Sequence, residues 1–585
     1  MGAAKAYDSV AFLQARPLER IGVETTRGKQ ARMEEGCMRK LGRRALYVCL
    51  GVCCYVLMQA PASTVEGQGE RNLDSAAIQY GGIYHRMLAA EPSMLDPAFV
   101  ADIYSRAVVG QLFDGLIQFD AHLKPIPAIA EFWETSRDGL TWTFTLRHGV
   151  KFHNGREVTA QDFVYSFTRL LNPERPGPLK DFFRHVQGAD DFLQGKIASV
   201  RGLKAVDRYI FQILLQEPYT PSLSVLGVGN TAVVPKEEVE RLGERFARAP
   251  VGAGPFKFVR WEPHKEIVLE ANADYYQGRP FLDLLVFKIG GNLEEEFAQF
   301  LKAELEETIV PSNKTDEILT DPQYQKYQFI RKPTLGLLFT GFNTRLKPFD
   351  DKRVRQAFNY AVDKEAIVRD IAKMGSIAAT GVLPPGMPGY DPDLPGYSYN
   401  PARARQLLAE AGYPDGVGFP AVQLWAFSAA PNTQAEMAAY QKYLAAVGVR
   451  VEMRFAPNWP SYEAMIREQQ LPMFRLSWYA NIPDPDIFFS PLLRSSSAGY
   501  YRFYDNPQVE QLLDQAVAES SDRRRISLYH QVERIVIDDA PWIMQHYFVS
   551  QRLYQPYVQG VEVSLLGDRA IPMKKVWLRK NPPKG

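Results

Sequence analysis

Asp138-Gly-Leu-Thr-Trp-Thr-Phe-Thr-Leu-Arg-His-Gly-Val-Lys-Phe-His-Asn-Gly155 joins two turn signals through a run of alternating polarity. Thr141, Thr143 and Thr145 interleave with Trp142, Phe144 and Leu146, and this period of two in β-branched and aromatic residues predicts a strand with one buried face. Asn154-Gly155 then turns the chain. Beyond it, Thr159 stands three residues before Asp162 and opens a run in which Phe163, Phe167 and Leu170 recur at helical spacing, until Asn172-Pro173 stops it. The stretch therefore reads as strand, turn and capped helix.

A second such unit begins with the strand-like run Leu335 to Asn343. Phe349-Asp350-Asp351 leads into a helix with Val354, Phe358, Ala361 and Val362 on one face and Lys352, Arg353, Arg355 and Gln356 elsewhere. From Leu383 to Gly396 proline and glycine recur too often for regular structure, so this is an ordered loop. Pro401 to Ala411 reads as a helix ended by Gly412, Glu436 to Val447 as another, and Val449 to Met453 as a strand. Strands alternate with helices, which predicts α/β layers.

The 585 residues exceed one hydrophobic core, because cores stop growing near ~250–300 residues. A balance of 68 Lys+Arg against 67 Asp+Glu argues against a nucleic-acid partner, which calls for a basic surplus. Cys37, Cys49, Cys53 and Cys54 all lie near the start. A disulfide framework, cysteine-bound zinc and a cysteine nucleophile are therefore excluded for the folded body. Arg39, Lys40, Arg43 and Arg44 precede the apolar run Ala45 to Met58 and the small residues Ala60-Pro61-Ala62. That order is a secretory signal cleaved after Ala62, so residues 1–62 are an extension plus signal peptide and 63–79 a linker. Translation is expected to start at Met33 or Met38. Val52 before Cys53 argues against lipid anchoring, and the mature protein is expected in the periplasm.

No His-Glu-x-x-His, Gly-x-Ser-x-Gly or Walker motif is present. Gly227-x-Gly229 and Gly252-x-Gly254 lack the third glycine of a dinucleotide fingerprint and read as close packing. His148 and His153 read as surface residues at a turn. Asp484 and Asp486, each beside a proline, read as Asx turns before they read as an acid/base pair. No enzyme, cofactor or metal is indicated.

The opening stretch, with Ala130-Glu-Phe-Trp133 before it, resembles the signature of family 5 extracellular solute-binding proteins. Leu112 to Ile117, Val158 to Phe167, Val251 to Phe258, Asn272 to Tyr276, Phe342-Asn343 with Pro348 to Ala357, and Asp484-Pro-Asp486 resemble successive family landmarks. The resemblance runs from about Tyr80 to about Lys580. It implies an α/β, bilobal, periplasmic-binding-protein-like fold with three domains and a ligand cleft between lobes. Domain I is expected from 80–120, 223–341 and 547–580, domain II from 121–222, and domain III from 342–546. Crossings near Gly336–Asn343 and Gln545–Val549 are the expected hinge. The implied function is capture of a peptide or peptide-like small solute for an ABC permease and ATPase complex in the inner membrane, by a monomer. A ligand-sensing receptor, a holdase or an enzyme on the same fold is the alternative.

The resemblance also implies site residues. Arg475-Leu-Ser-Trp-Tyr-Ala-Asn481 lies where relatives hold the ligand, with Arg475 as a carboxylate contact, Trp478 as a pocket wall, and Ser477 and Tyr479 between. Asn481 stands where the family motif has an aspartate that pairs with a peptide amino terminus. Trp459 resembles another pocket tryptophan, Arg467 a second anionic contact, and Ile103 and Tyr104 the domain I contacts. No arginine occurs in Ser428-Ala-Ala-Pro431, which disfavours a strict dipeptide receptor.

Overall fold

The computed structural model describes residues 78–580 apart from 374, 496–502 and 568–570. The expected signal, its cleavage site and all four cysteines lie outside the described residues. Among the described residues no helix is long and apolar enough to cross a membrane.

The strand read from the opening stretch is Thr141–Leu146, and it pairs antiparallel with Ala130–Thr135 on one side and Ile210–Leu214 on the other. Leu203–Ala205 completes this four-stranded sheet. The helix Ala160–Leu170 follows, capped as its sequence predicts: Asp162 accepts the Thr159 backbone N–H at 2.8 Å and its hydroxyl at 2.9 Å. Phe163 and Phe167 are buried, with ring centroids 5.7 and 5.6 Å from Phe211 on the sheet. Burial of each ring is worth about 1.5–3 kcal/mol, against ~1 kcal/mol for a cap. Packing therefore holds the helix, and the cap sets where it starts.

A second four-stranded sheet places Ile83–Leu88 parallel to Leu284–Ile289, followed by Glu266–Ala271 and Phe256–Glu262 in antiparallel order. The largest sheet has seven strands. Two long strands, Gln328–Phe342 and Trp542–Tyr554, form its spine, with Met473–Tyr479, Val422–Ala426 and Val451–Phe455 stacked on one side. Helices Lys352–Ala361, Pro401–Glu410 and Pro431–Ala445 cover it through Phe358, Leu407, Met437 and Tyr440. The 383–396 stretch is an irregular loop, as its prolines and glycines dictate.

Three boundaries differ from the sequence reading. The strand expected from Leu335 begins at Gln328, because Gln328–Pro333 pairs with Val549–Tyr554, a contact the local pattern does not reveal. The helix expected from Glu436 begins at Pro431, whose fixed φ suits the first helical position. The strand expected at 449–453 is Val451–Phe455. The two spine strands shift register between Pro333 and Leu337 and again between Leu338 and Phe339.

Candidate ligand-binding site

Val422–Ala426 runs parallel to both Val451–Phe455 and Met473–Tyr479, so the carboxyl ends of these strands share one edge of the sheet. In open α/β sheets ligands bind outside the carboxyl ends of strands. Phe427, Trp459 and Tyr479 stand there with 47%, 40% and 44% of their surface exposed, unusual for rings of this size. Phe427 and Trp459 meet edge to face at 5.4 Å. Tyr479 stacks on Phe548 at 4.7 Å, over Gly336. A Cβ at Gly336 would lie 2.7 Å from the Tyr479 ring and 2.8 Å from that of Phe548, so glycine is what lets the two rings stack.

Just past Tyr479 the chain enters the wall of a cavity of about 300 Å³. Ala480 and Asn481 line it from this side. From the other come the helix Ile103–Leu112 through Arg106, Val109 and Gly110, the following stretch through Asp114, Gln118 and Phe119, the loop Gly227–Asn230, and the turn Pro572–Lys575. Gly227 packs on Phe119, whose ring would lie 2.4 Å from an added Cβ. The Oδ1 of Asn481 is buried and has no hydrogen-bond partner. Such an atom costs about 1–3 kcal/mol until a donor reaches it. Asp484 is occupied: Arg525 donates to both of its oxygens, at 2.8 and 2.6 Å, and both side chains are buried. Its Oδ1 also accepts the Asp486 N–H at 2.9 Å, the Asx turn read from the sequence. Burial, with Asp484 adjacent, lifts the Asp486 carboxyl to about 6.

Three landmarks distant in sequence converge beneath the cavity. A Cβ at Gly252 or Gly254 would fall 2.0 or 2.5 Å from the backbone of Leu112, so both glycines serve close packing. Asn272 donates to Gly254 O at 3.1 Å, and His153 bridges Gly252 N and Gly254 O, each at 3.1 Å. Burial holds the His153 pKa down at about 4, so this histidine is a neutral, half-buried clamp and not a surface residue. Asp114 accepts from the Tyr275 hydroxyl at 2.7 Å and from Gln118 Nε2 at 2.6 Å. Lys574 completes the cluster, donating to Gln277 at 2.7 Å, Gln118 at 2.8 Å and Tyr275 at 3.2 Å.

Residues 124–500 match the model of bacterial extracellular solute-binding proteins, family 5 Middle. The chain belongs to this family. It is 32% identical to the heme-binding protein A of Haemophilus influenzae over 82% of this chain and 89% of that one. It is 28% identical to the dipeptide-binding protein of Escherichia coli, over 78% of this chain and 87% of that one. The solved structure of the periplasmic binding protein DppA of Helicobacter pylori in complex with peptide STSA superposes with a TM-score of 0.71 at 27% identity. That match spans 86% of this chain and 99% of the other. The family and these matches show the mixed α/β, multi-domain periplasmic-binding-protein fold.

In this family 5 protein Asn481 is, among the described residues, the one candidate that lines the cavity. Ser477, Tyr479 and Trp459 stand exposed at the strand ends, and Trp478 is half-buried with its Nε1 donating to Ile487 O at 2.8 Å. Arg475 faces Glu436, to whose Oε2 its Nε and Nη2 donate at 3.0 and 2.5 Å. Arg467 ion-pairs with Glu463 at 3.1 Å on the helix Trp459–Arg467. Ile103 is exposed at the first turn of its helix and Tyr104 packs against apolar core; Arg106 and Gly110, further along, reach the cavity instead. Asp114, Gln118, Tyr275 and Lys574 are not legible from sequence as site residues. Asp114 and Tyr275 sit inside landmarks that the resemblance picks out without assigning them roles, and Lys574 carries no local signal at all.

Proposed function

We propose that this protein is the periplasmic substrate-binding component of an ABC importer, which captures a peptide or peptide-like small solute and delivers it to a permease and ATPase complex. The observation that carries this reading is the cavity beyond the strand ends, lined by Ala480 and Asn481 on one side and by the Ile103–Leu112 helix and the Pro572–Lys575 turn on the other. It gathers residues of the stretches 80–120, 223–341 and 547–580, of 121–222, and of 342–546, which we take as domains I, II and III. Domains I and II form one lobe and domain III the other. A solute that binds the closed form better than the open one draws the lobes together, and the dry cleft strengthens its hydrogen bonds.

The names of relatives point to peptides and to heme, and the chemistry of the wall favours the former. Among its described residues there is no histidine, cysteine, methionine or tyrosine to ligate a haem iron. Backbone carbonyls, amides and charged side chains suit a peptide instead. Calorimetry of the mature chain from Ser63 with a panel of di-, tri- and tetrapeptides tests the proposal. Micromolar or tighter binding of at least one length class is expected; haem binding with no peptide binding would overturn it.

A further inference from the structure

We infer that Lys574 receives a carboxylate of the captured solute, for a peptide its C-terminal carboxylate, so that Lys574 selects for a free acid at this site. The inference rests on reading the cavity as the ligand site. Lys574 sits on the short turn Met573–Lys575 near the chain's end, on the cavity wall. All three of its N–H groups go to neutral acceptors: Gln277 Oε1, Gln118 Oε1 and the Tyr275 hydroxyl. Asp114 reaches it only through Tyr275 and Gln118, which each spend a donor on that carboxylate. Its neighbour Lys575, by contrast, holds Glu562 directly at 2.9 Å.

A half-buried cation whose direct contacts are all neutral acceptors stays partly uncompensated, even with Asp114 and Glu562 acting on it from further off. Burial accordingly pulls the Lys574 pKa below that of an ordinary lysine. One of its acceptors, Gln277, is exposed on the cavity wall, held otherwise by the Tyr276 hydroxyl at 3.2 Å, so a ligand carboxylate competes with one neutral amide oxygen for that N–H. A ligand carboxylate arriving there forms a charge-assisted bond in a site from which closure removes water. Arg475, the contact implied by resemblance, already has Glu436 as its counter-ion; Lys574 has none in contact among the described residues.

The rival reading is a brace: Lys574 merely ties the C-terminal turn to the Leu112–Ile117 motif. A brace, when lost, weakens all ligands alike. Calorimetry with trialanine and trialanine amide on the mature chain, with Lys574→Gln and Lys574→Arg, separates the two. Wild type is expected to prefer the acid by about tenfold or more, the range of one charge-assisted hydrogen bond. Lys574→Gln is expected to bind acid and amide equally, near the wild-type amide affinity, while Lys574→Arg retains the preference. Equal binding of acid and amide by wild type overturns the inference, as does a preference that survives in Lys574→Gln; should that variant not fold, Lys574→Met takes its place. If trialanine does not bind, the acid and amide of a peptide from the panel that does bind take its place; if no peptide of the panel binds, the ligand-site reading falls and takes this assignment with it.

Discussion

At position 481 stands an amide, where the resemblance implies an aspartate, and the carboxylate nearest to it in sequence does not restore the charge. Asp484, three residues on, is the nearest carboxylate in sequence, but Arg525 holds both of its oxygens in the buried interior. The Asn481 amide is therefore the group this strand end brings to the cavity wall, and its buried, unpartnered oxygen is neutral. A peptide ammonium meeting a carboxylate gains an ion pair as well as a hydrogen bond, whereas an amide oxygen supplies the hydrogen bond alone. Asn481→Asp is accordingly expected to raise affinity for peptides with free amino termini by about tenfold or more. Their N-acetylated forms should not gain. Titration of both peptide forms against both proteins checks this, and an equal gain for the acetylated series would show that position 481 does not read the amino end.

The helix Asp522–Asp539 shows how one element disciplines an irregular one. Glu533 Oε1 accepts the backbone N–H groups of Val382 and Leu383 at 2.6 and 3.1 Å, which anchors the start of the proline- and glycine-rich loop. Its other oxygen is buried without a partner. Burial raises its pKa from 4.5 to about 7, against the pull of the two N–H groups. A carboxyl with a raised folded-state pKa binds an extra proton on folding, so its contribution is fully present below about 4.5 and is lost as pH rises through about 7. Urea unfolding of wild type is expected to lose about 3 kcal/mol from this group between pH 5 and pH 8. Glu533→Gln keeps the accepting oxygen and does not titrate, so its stability relative to wild type should rise over that range. A difference between the two proteins that stays constant with pH would show that Glu533 is ionised throughout.

Across the whole molecule, Thr220 of the 121–222 stretch reaches the 342–546 stretch, its N–H donating to Val517 O at 2.9 Å and its hydroxyl to Glu519 O at 3.0 Å. Tyr219, Val225 and Leu226 belong to the same apolar cluster as Phe488, Leu492 and Leu513. Opening of the proposed cleft breaks these contacts, while the two spine strands continue through it. Their register shifts at Pro333–Leu337 and Leu338–Phe339 lie at the proposed crossings, where a ladder with unpaired residues bends most readily. Small-angle scattering is expected to show a smaller radius of gyration with a saturating peptide than without. An unchanged radius at proven saturation would mean a rigid module.

Local pattern was enough for the strand, turn and helix between Asp138 and Leu170. Period two in Thr141–Leu146, the Thr159–Asp162 cap and the Phe163–Phe167–Leu170 stripe each depend on residues a few positions apart, so they are written in the sequence. The order of landmarks likewise identified the family and singled out Asn481 as a candidate. Local pattern does not contain which distant segments meet. The pairing of Gln328–Pro333 with the C-terminal strand, the counter-ion of Arg475 and the Asp114–Tyr275–Lys574 cluster each join residues far apart in the chain. Such contacts are chosen by the packing of whole layers, since a buried charge takes whichever partner the fold brings within reach. Neighbouring residues thus suffice for the elements, the family and the strand end proposed to face the ligand. It takes the folded chain to show which charges there are already spent and that Lys574, among the described residues, touches no carboxylate directly, because burial and pairing are properties of the packed layers and not of any one segment.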